Sequence, residues 1–303
     1  MFSKALAQVE QYTLPVIFSR RHFNGQISSG CGTCIVLNPD GWILTASHIA
    51  LETALLAKHE PEIEEFEKQK KAIIENPQLH PNDKRKRLRA LKVNELWVTH
   101  QAVMWGIHQS QIAQFHGNAF SDIAVGRLQP FDPSWIKSYP IFKNPAEPML
   151  SGTSLCRLGF PFHQINATFD ERTQKFHLAD GVLPIPRFPN EGIHTRIALN
   201  VSPDGKQQAK FLETSSPGLK GQSGGPIFDC NGHVWAMQSK TQSLPLGFAP
   251  EVMEGTRKIV EHQFMHVGWG AHVEEIIKLF QQFGVKFELS GKSASGSSTP
   301  TTS

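Results

Sequence analysis

Three residues of this sequence carry side chains that together could break an acyl bond. Ser223 lies in "GQSGGP", where Gly221, Gly224 and Gly225 surround it. Because these glycines have no side chains, the segment can form a tight turn that exposes the amides of Gly221 and Ser223 beside the Ser223 hydroxyl. Such a hydroxyl can attack a carbonyl carbon. A phosphate-binding loop is disfavoured, since neither "GK[ST]" nor a helix pattern follows.

A serine nucleophile also needs a base with a pKa near 7 and an acid that orients the base. His48 follows the strand-like run "GWILTAS", and Asp122 opens another such run in "SDIAVGRL". Taken singly, each residue has a structural interpretation, as a histidine at a strand end or an aspartate that caps a turn. Their presence with Ser223 in one chain, in the order His, Asp, Ser, favours a catalytic interpretation of all three.

The elements that must position these residues are mainly short strands. Apolar runs split by Gly, Pro, Asn and Asp are typical of an all-β sandwich or barrel. The proline-rich stretch 128–148 predicts a link between two halves, with His48 and Asp122 before it and Ser223 after it. After "TLPVIFSR", the predicted strands are Cys34–Leu37, Trp42–Ala46, Leu96–Val98, Ala102–Trp105, Ile123–Leu128, Ser154–Leu158, Ile193–Val201, Lys210–Glu213, Pro226–Asp229 and Val234–Ser239.

A helical insert interrupts the first half. Apolar spacing and charge order predict helices at 61–75 and 82–92, within an insert of about 51–92. The basic run in "NDKRKRLRALK" has two interpretations, a docking surface for an acidic partner or nucleic acid and a solvated face of a surface hairpin. We expect a regulatory protein, if one docks on this chain, to use about residues 58–92.

The two ends of the chain have their own patterns. A short helix is predicted at 3–11. An apolar stripe over "GAHVEEIIKLFQQFGV" predicts a closing helix at about 271–284, packed on the second half. The Ser, Thr and Gly content of 285–303 is typical of a disordered tail.

Composition limits the classes of partner. The chain has 303 residues, of which 39% are hydrophobic, enough for one large or two modest domains. A formal charge of +3 gives no reason to expect nucleic acid or a membrane surface as a partner. The start lacks a secretory signal, and no stretch approaches the roughly 18 apolar residues of a membrane span. We therefore expect a cytoplasmic protein, which the count of four cysteines also fits.

Cys31 and Cys34 form a C-x-x-C pattern that could indicate a metal or redox site. The segment reads as a strand, where residues three apart point to opposite faces and cannot meet at one ion. A structural role is favoured for both, and for Cys156 and Cys230, so no metal site is predicted.

The segments "TASHIA", "SDIAVGRL" and "GQSGGPIFD" resemble the catalytic segments of the chymotrypsin/trypsin-like serine peptidase superfamily. Within it, "SGCGTCIVLNPDGWILTASHIA" is most similar to the bacterial HtrA-type branch. The resemblance covers about 13–284, apart from the insert and about 243–262. It implies an all-β fold of two six-stranded antiparallel Greek-key β-barrels, at 1–135 and 136–270, with a helical insertion in the first and a C-terminal helix.

The resemblance also implies a role for each candidate residue. Ser223 would be the nucleophile and His48 the general base and then acid. Asp122 would fix the His48 tautomer and stabilise its cation. The amides of Gly221 and Ser223 would form the oxyanion hole, and no metal or cofactor would be needed.

Two departures from the superfamily suit an intracellular enzyme without disulfides. Trypsin-type zymogens carry an aspartate immediately before the nucleophile, which pairs with a newly released N-terminus; here that place is Gln222. A neutral amide cannot form this ion pair, so activation by N-terminal cleavage is not expected. Ala50 likewise removes the usual disulfide partner near the histidine.

Substrate-binding positions follow from the same resemblance. The place of the acid at the base of a trypsin-type specificity pocket is Pro217, so a preference for Arg or Lys loses its electrostatic basis. "AMQSKTQ" resembles the strand that pairs with extended substrate, through the backbone of Ser239, Lys240 and Thr241. Lys240 could favour an acidic side chain or simply face solvent on an edge strand.

The sequence thus predicts a stand-alone serine endopeptidase that cleaves polypeptides through an acyl-enzyme, and we expect it to be a regulated processing or effector protease. The residues after Phe283 are too few for the peptide-binding PDZ domain that HtrA-type proteins usually carry. Two alternatives stay open, namely a catalytically silent protease-like binding module and an esterase or other acyl hydrolase.

Overall fold

The apolar runs of the first half form one antiparallel sheet of six strands in the computed structural model, which describes residues 1–106, 110–255 and 257–291. The strands are β1 Thr13–His22, β2 Ile27–Val36, β3 Trp42–Ala46, β4 Val98–Met104, β5 Gln111–Asn118 and β6 Ile123–Gln129. Their order in the sheet is β4-β1-β2-β3-β6-β5. Because Ala46 pairs with Ile123, the residues that follow β3 meet the residues that precede β6.

The second half contains the remaining strands of the described residues. They are β7 Ile141–Phe142, β8 Ser154–Gly159, β9 Ala167–Asp170, β10 Lys175–Leu178, β11 Phe188–Val201, β12 Gln208–Thr214, β13 Pro226–Phe228, β14 Val234–Pro245, β15 Glu251–Glu254, β16 Arg257–Val260, β17 Phe264–His272 and β18 Glu288–Leu289. Six of them close into a ring of order β13-β8-β11-β12-β17-β14, because β13 also pairs with β14.

This architecture confirms the predicted chymotrypsin-like all-β fold. β5 and β17, one in each barrel, were not among the predicted strands, and three further additions were not predicted. The short strands β7 and β18 extend the second barrel beyond β14 through parallel pairs, so its sheet has eight strands rather than six. Two separate hairpins, β9 with β10 and β15 with β16, project from the second half.

Five α-helices accompany the sheets within the described residues. They are α1 Ser3–Val9, α2 Ser47–Glu52, α3 Leu55–Glu75, α4 Pro81–Ala90 and α5 Val273–Phe283, and a 3-10 turn lies at Pro133–Trp135. α5 begins where the His272 side chain accepts a hydrogen bond from the Glu274 amide, and it ends at Gly284 with φ of +67°. None of the helices in the described residues is long and apolar enough to cross a membrane.

The helical insert consists of α3 and α4, and neither helix has a buried residue. α3 begins six residues before Pro61, the residue from which the sequence predicted it to start, and Pro61 lies inside the helix. The early turn is held from outside, because the Leu56 amide donates to Gln101 Oε1 at 3.0 Å and His59 Nδ1 accepts from the Val98 amide at 2.9 Å. Contacts with β4 therefore compensate for the hydrogen bond that proline cannot donate.

A disordered tail was predicted at 285–303, and this prediction is wrong for residues 285–291. Val285 is buried against the core, and its amide donates to the Phe280 carbonyl at 2.9 Å. Leu289 pairs with Phe142 in β18 and β7. The rest of the predicted tail, 292–303, lies outside the described residues.

Most buried apolar residues of the two barrels belong to one core, and two smaller clusters lie around Trp235 and Phe160. The main core joins Ile35 and Leu44 of the first barrel to Phe142 and Phe211 of the second, and α5 contributes Phe280. Apolar burial on this scale is the main stabilising term of such a fold.

Candidate active site

His48 and Asp122 meet where β3 and β6 lie side by side. His48 lies in the first turn of α2, and Asp122 directly precedes β6. The His48 amide donates to Asp122 Oδ1 at 3.0 Å, and His48 Nδ1 lies 2.9 Å from Asp122 Oδ2. Since a carboxylate only accepts hydrogen bonds, Nδ1 is the protonated ring nitrogen and donates. The other nitrogen, Nε2, is left as the acceptor of the ring.

The surroundings of Asp122 keep it ionised. Its backbone has φ of 55°, a left-handed conformation that aspartate adopts more readily than most residues. The Ser239 hydroxyl donates to Asp122 Oδ2 at 2.6 Å. Burial alone would raise the pKa of Asp122, but the hydrogen bonds from His48 and Ser239 and the electrostatic attraction that His48 exerts when protonated lower it below its ordinary value. Asp122 therefore stays an acceptor at neutral pH.

The nucleophile loop, residues 217–225, is held by the first barrel. The Thr33 amide in β2 donates to the Ser223 carbonyl at 2.8 Å, and Thr33 Oγ1 donates to the Gly221 carbonyl at 2.7 Å. Gly224 has φ of +90°, and a Cβ at that position would overlap the Thr33 carbonyl oxygen. Only glycine combines this conformation with so close an approach.

The amides of Gly221 and Ser223 are available to a ligand. Neither donates to an acceptor within residues 1–106, 110–255 and 257–291. The Gly221 carbonyl, by contrast, accepts from the Phe160 amide at 3.2 Å and from Thr33. The Gly221 carbonyl is therefore occupied, while the Gly221 and Ser223 amides stay free, as an oxyanion site requires.

Ser223 joins the same network through Ser239. Ser223 Oγ donates to the Ser239 carbonyl at 3.3 Å, and Ser239 Oγ donates to Asp122. Among the described residues, no hydrogen bond links Ser223 directly to His48, whose side chain is 46% exposed. The structure thus brings His48 and Asp122 into contact. It connects Ser223 to Asp122 only through Ser239 in this network.

Gln222 makes neutral hydrogen bonds at the position where trypsin-type zymogens have an aspartate that forms an ion pair. It is fully buried; its Oε1 accepts from the Leu219 amide at 3.0 Å and its Nε2 donates to the Phe188 carbonyl at 3.3 Å. Both ends of the side chain are satisfied, so the nucleophile loop needs no added charge at this point.

The predicted substrate strand lies at an open edge. Within the described part of the chain, residues 240–245 pair only with β17 and Ser239 lies at an irregularity of that pairing, so the other edge of this segment carries no strand. Lys240 was expected either to favour an acidic side chain or to face solvent. Its ammonium instead lies 4.7 Å from the ring centre of Phe211 and 5.2 Å from that of Trp269.

Pro217 lies at the start of the nucleophile loop, and its carbonyl is the part that makes contacts. It accepts from Arg157 Nη1 at 2.8 Å and from Asn190 Nδ2 at 2.9 Å. Across from it, Thr241 Oγ1 donates to the Gly218 carbonyl at 2.7 Å. The loop and the predicted substrate strand therefore face each other.

A cavity of about 540 Å³ opens on the far side of Gly221, and Cys31, Phe160 and Lys220 are part of its lining. Burial raises the pKa of the Cys31 thiol to about 12, so it is not a thiolate at neutral pH. In the described residues, all four cysteines are free, and no group of three or more His, Cys, Asp or Glu side chains is placed to hold a metal ion.

The model of the trypsin-like peptidase domain family matches residues 32–237, more than half of the chain. The chain therefore belongs to the trypsin-like peptidase family, as the resemblance in its sequence predicted. The matched range contains His48, Asp122 and Ser223.

Among solved structures, the chain is similar to the Rv3671c protease from M. tuberculosis in its active form, with a TM-score of 0.49, 13% identity, and coverage of 94% of this chain and 86% of that one. It is also similar to a variant of the HtrA-type protease AlgW with a tripeptide, with a TM-score of 0.48 and 12% identity over 93% of this chain and 63% of that one. No curated protein matches the chain.

Two residues of the site were missed in the sequence. The Ser239 hydroxyl supports Asp122, although the sequence predicted only a backbone role for Ser239. Thr33 shapes the nucleophile loop from a position 188 residues earlier. No local sequence pattern indicates a contact between residues so far apart. The polar side chain of Thr33, between Cys31 and Cys34 at the start of an apolar run, is the only hint that it has a buried partner.

Proposed function

We propose that this protein is a serine endopeptidase that cleaves polypeptides through an acyl-enzyme formed on Ser223. The observation that carries the proposal is the pairing of His48 Nδ1 with Asp122 at 2.9 Å, next to a loop that leaves two amides free. A paired histidine whose second nitrogen is an acceptor is the base that a serine nucleophile needs.

The chemistry follows from these positions. Ser223 Oγ turns from the Ser239 carbonyl to His48 Nε2, gives it the proton and attacks the scissile carbonyl carbon. The carbonyl oxygen becomes an oxyanion that the amides of Gly221 and Ser223 bind. His48 then protonates the leaving amine, and the C–N bond breaks. Water, deprotonated by His48, attacks the ester carbonyl and releases the acid while Ser223 recovers its proton.

The open edge at residues 239–241 supports a polypeptide substrate. An extended chain can add there as a further strand through main-chain hydrogen bonds. Such pairing fixes the scissile bond near Ser223 because Ser239 itself contacts the nucleophile. It also requires several residues on the substrate, which favours an endopeptidase over an esterase.

A fluorophosphonate probe tests the nucleophile. Wild type should be labelled, and Ser223→Ala should be unlabelled with turnover lower by about 10⁴-fold or more. Ser202→Ala is the matched control, since Ser202 lies in the exposed turn between β11 and β12 and contacts Asp204. Wild type that is neither labelled nor active would instead support the silent binding module.

A comparison of substrates separates the peptidase from an acyl hydrolase. Peptide amides and esters of the same acyl group should both be hydrolysed. Turnover of esters alone would contradict the proposal of an endopeptidase.

Regulation by a protein that docks on residues 58–92 remains a proposal. It is supported by α4, whose Arg85, Arg87 and Arg89 are exposed and make no ion pair within the described residues. The cytoplasmic location stays a prediction.

A further inference from the structure

Arg157 carries a charge inside the second barrel. The residue lies in β8 and is 1% exposed. Its Nη1 donates to the Pro217 carbonyl at 2.8 Å and to Ser216 Oγ at 3.2 Å. Its Nη2 donates to the Ser216 carbonyl at 3.2 Å and to Thr214 Oγ1. All four acceptors are neutral.

No carboxylate in the described residues pairs with Arg157, and its buried Nε has no acceptor there. Burial lowers the pKa of Arg157 to about 10, which leaves the guanidinium protonated at neutral pH. A buried charge without a counter-charge is costly and is uncommon unless it has a function.

The nucleophile loop and the substrate strand, residues 239–245, face each other as two walls, and Thr241 Oγ1 donates across to the Gly218 carbonyl. We name the space between these walls the cleft. The guanidinium lies next to the Pro217 end of the loop. Ser223 lies at one end, where it contacts Ser239. Pro217, six residues before Ser223, lies at the other end and contacts Arg157.

The strand that pairs with the substrate strand, β17, also lies next to Arg157. Gly268 in β17 pairs with Thr241 of the substrate strand. A Cβ added to Gly268 would lie only 2.5 Å from Arg157 Nη2. The guanidinium therefore fills the space left by the missing side chain, between the two walls and at the end remote from Ser223.

The described residues of the two walls carry no carboxylate. Gln238 packs its amide against Gly218, with Nε2 donating to the Lys240 carbonyl at 3.1 Å and Oε1 buried without a donor in the described residues. Lys220 is exposed and lines the cavity beyond Gly221, and the stretch from Thr214 to Ser223 contains neither Asp nor Glu.

From this arrangement we infer that the cleft is the primary specificity pocket and that Arg157 makes it select an acidic residue, Glu or Asp, immediately before the scissile bond. The inference rests on the proposed function, because it names the substrate residue that the Ser223 site accepts. A carboxylate in the pocket supplies the counter-charge that the fold withholds from Arg157. Since water is excluded around the guanidinium, its field is weakly screened, and it repels Lys and Arg side chains.

The test compares peptide substrates that differ only as Glu against Gln, and Asp against Asn, before the scissile bond. Active-site titration with the fluorophosphonate probe gives the concentration of competent enzyme. Wild type should show kcat/KM at least about tenfold higher for each acid than for its amide. Arg157→Gln, which removes the charge and keeps donors, should bring the ratio close to one. Arg187→Gln is the matched control, since Arg187 lies outside the cleft and donates to the Glu10 carbonyl, and it should keep the wild-type ratio.

Each outcome has one meaning. Enzyme that is labelled but cleaves Gln substrates as well as Glu substrates overturns the inference and leaves the proposed function intact. A preference for Gln also overturns it, and points to pairing with the orphan Gln238 Oε1. A Glu preference that persists in Arg157→Gln overturns the role of Arg157. If Arg157→Gln does not fold, the wild-type ratio decides, with Lys220→Gln showing whether the exposed Lys220 charge produces it. Wild type without labelling or turnover means that the proposed function itself fails.

Discussion

The nucleophile loop is held by close contacts with distant parts of the chain, whereas the helical insert makes few such contacts. The loop takes hydrogen bonds from Thr33 and Phe160, and a Cβ at Gly221 or Gly224 would overlap a neighbouring carbonyl. α3 and α4 have no buried residue. α3 contacts the first barrel through hydrogen bonds of its early turns and through Phe66, which packs edge-to-face on Phe23 and against Trp97.

The difference teaches where substitutions should matter. In the loop, each group is fixed by partners distant in sequence, so a small change in shape reaches the reacting atoms. In the insert, most side chains meet only solvent, and changes there should remain local. Four substitutions test this contrast.

Asp122→Asn should produce the largest effect. Asparagine keeps the size and tolerates the left-handed backbone, but its amide would donate to His48 Nδ1 and force the proton onto Nε2. We expect kcat to fall by about 10³ to 10⁴-fold with little change in the free energy of unfolding. Ester hydrolysis and urea denaturation measure the two quantities, and a loss below tenfold would contradict the assigned role.

Gly224→Ala should be the most destabilising change in the loop. It adds a Cβ that overlaps the Thr33 carbonyl, at a φ of +90° that disfavours alanine. The expected loss in the free energy of unfolding is about 3 kcal/mol. Gly152→Ala is the control, because it has φ of +85° but nothing within 4 Å of the added Cβ, and it should lose only about 1 kcal/mol. Equal losses would show that Thr33 can move aside.

Thr33→Val removes one hydroxyl without changing the shape of the side chain. The Gly221 carbonyl would lose one of its two donors, and the oxyanion amides would be less well oriented, so we expect kcat to fall about tenfold. Thr99→Val is the matched control, since its hydroxyl donates to the Arg21 carbonyl away from the site. A similar fall in both variants would refute a specific role for Thr33.

Phe66→Ala should have the smallest effect on catalysis. It removes the ring that docks α3 on Phe23 and Trp97, and should reduce the free energy of unfolding by about 1 to 2 kcal/mol. We expect kcat to stay within about twofold of wild type. A fivefold loss of kcat would show that the insert communicates with the active site, and would sharpen the case for regulation through it.

The sequence predicts much of this molecule because the relevant signals are local. Apolar runs between turn residues predicted most strands of both barrels, though not β5 or β17, and the capped stripe before Gly284 predicted α5. Pairings between distant segments were less accessible. The hairpin of β9 and β10 has a weak pattern of partly exposed residues, and the pairing of Leu289 with Phe142 depends on a contact 147 residues apart.

The candidate site divides in the same way. His48, Asp122 and Ser223 are visible because each lies in a short motif. Arg157 has only a weak signal, a single charge in the apolar run "SLCRLGF". Arg157 becomes informative because no carboxylate among the described residues pairs with it, which only the folded arrangement reveals.

Thr33 has a consequence for the order in which the enzyme becomes competent. It belongs to the first barrel, yet its amide and hydroxyl shape the segment of the second barrel that carries Ser223. The ribosome releases Thr33 long before Ser223, and the contact forms only when both barrels have folded and docked. We therefore expect catalytic competence to be the last property the chain acquires. Fragments cut between the barrels should be inert alone and regain activity only when they reassociate.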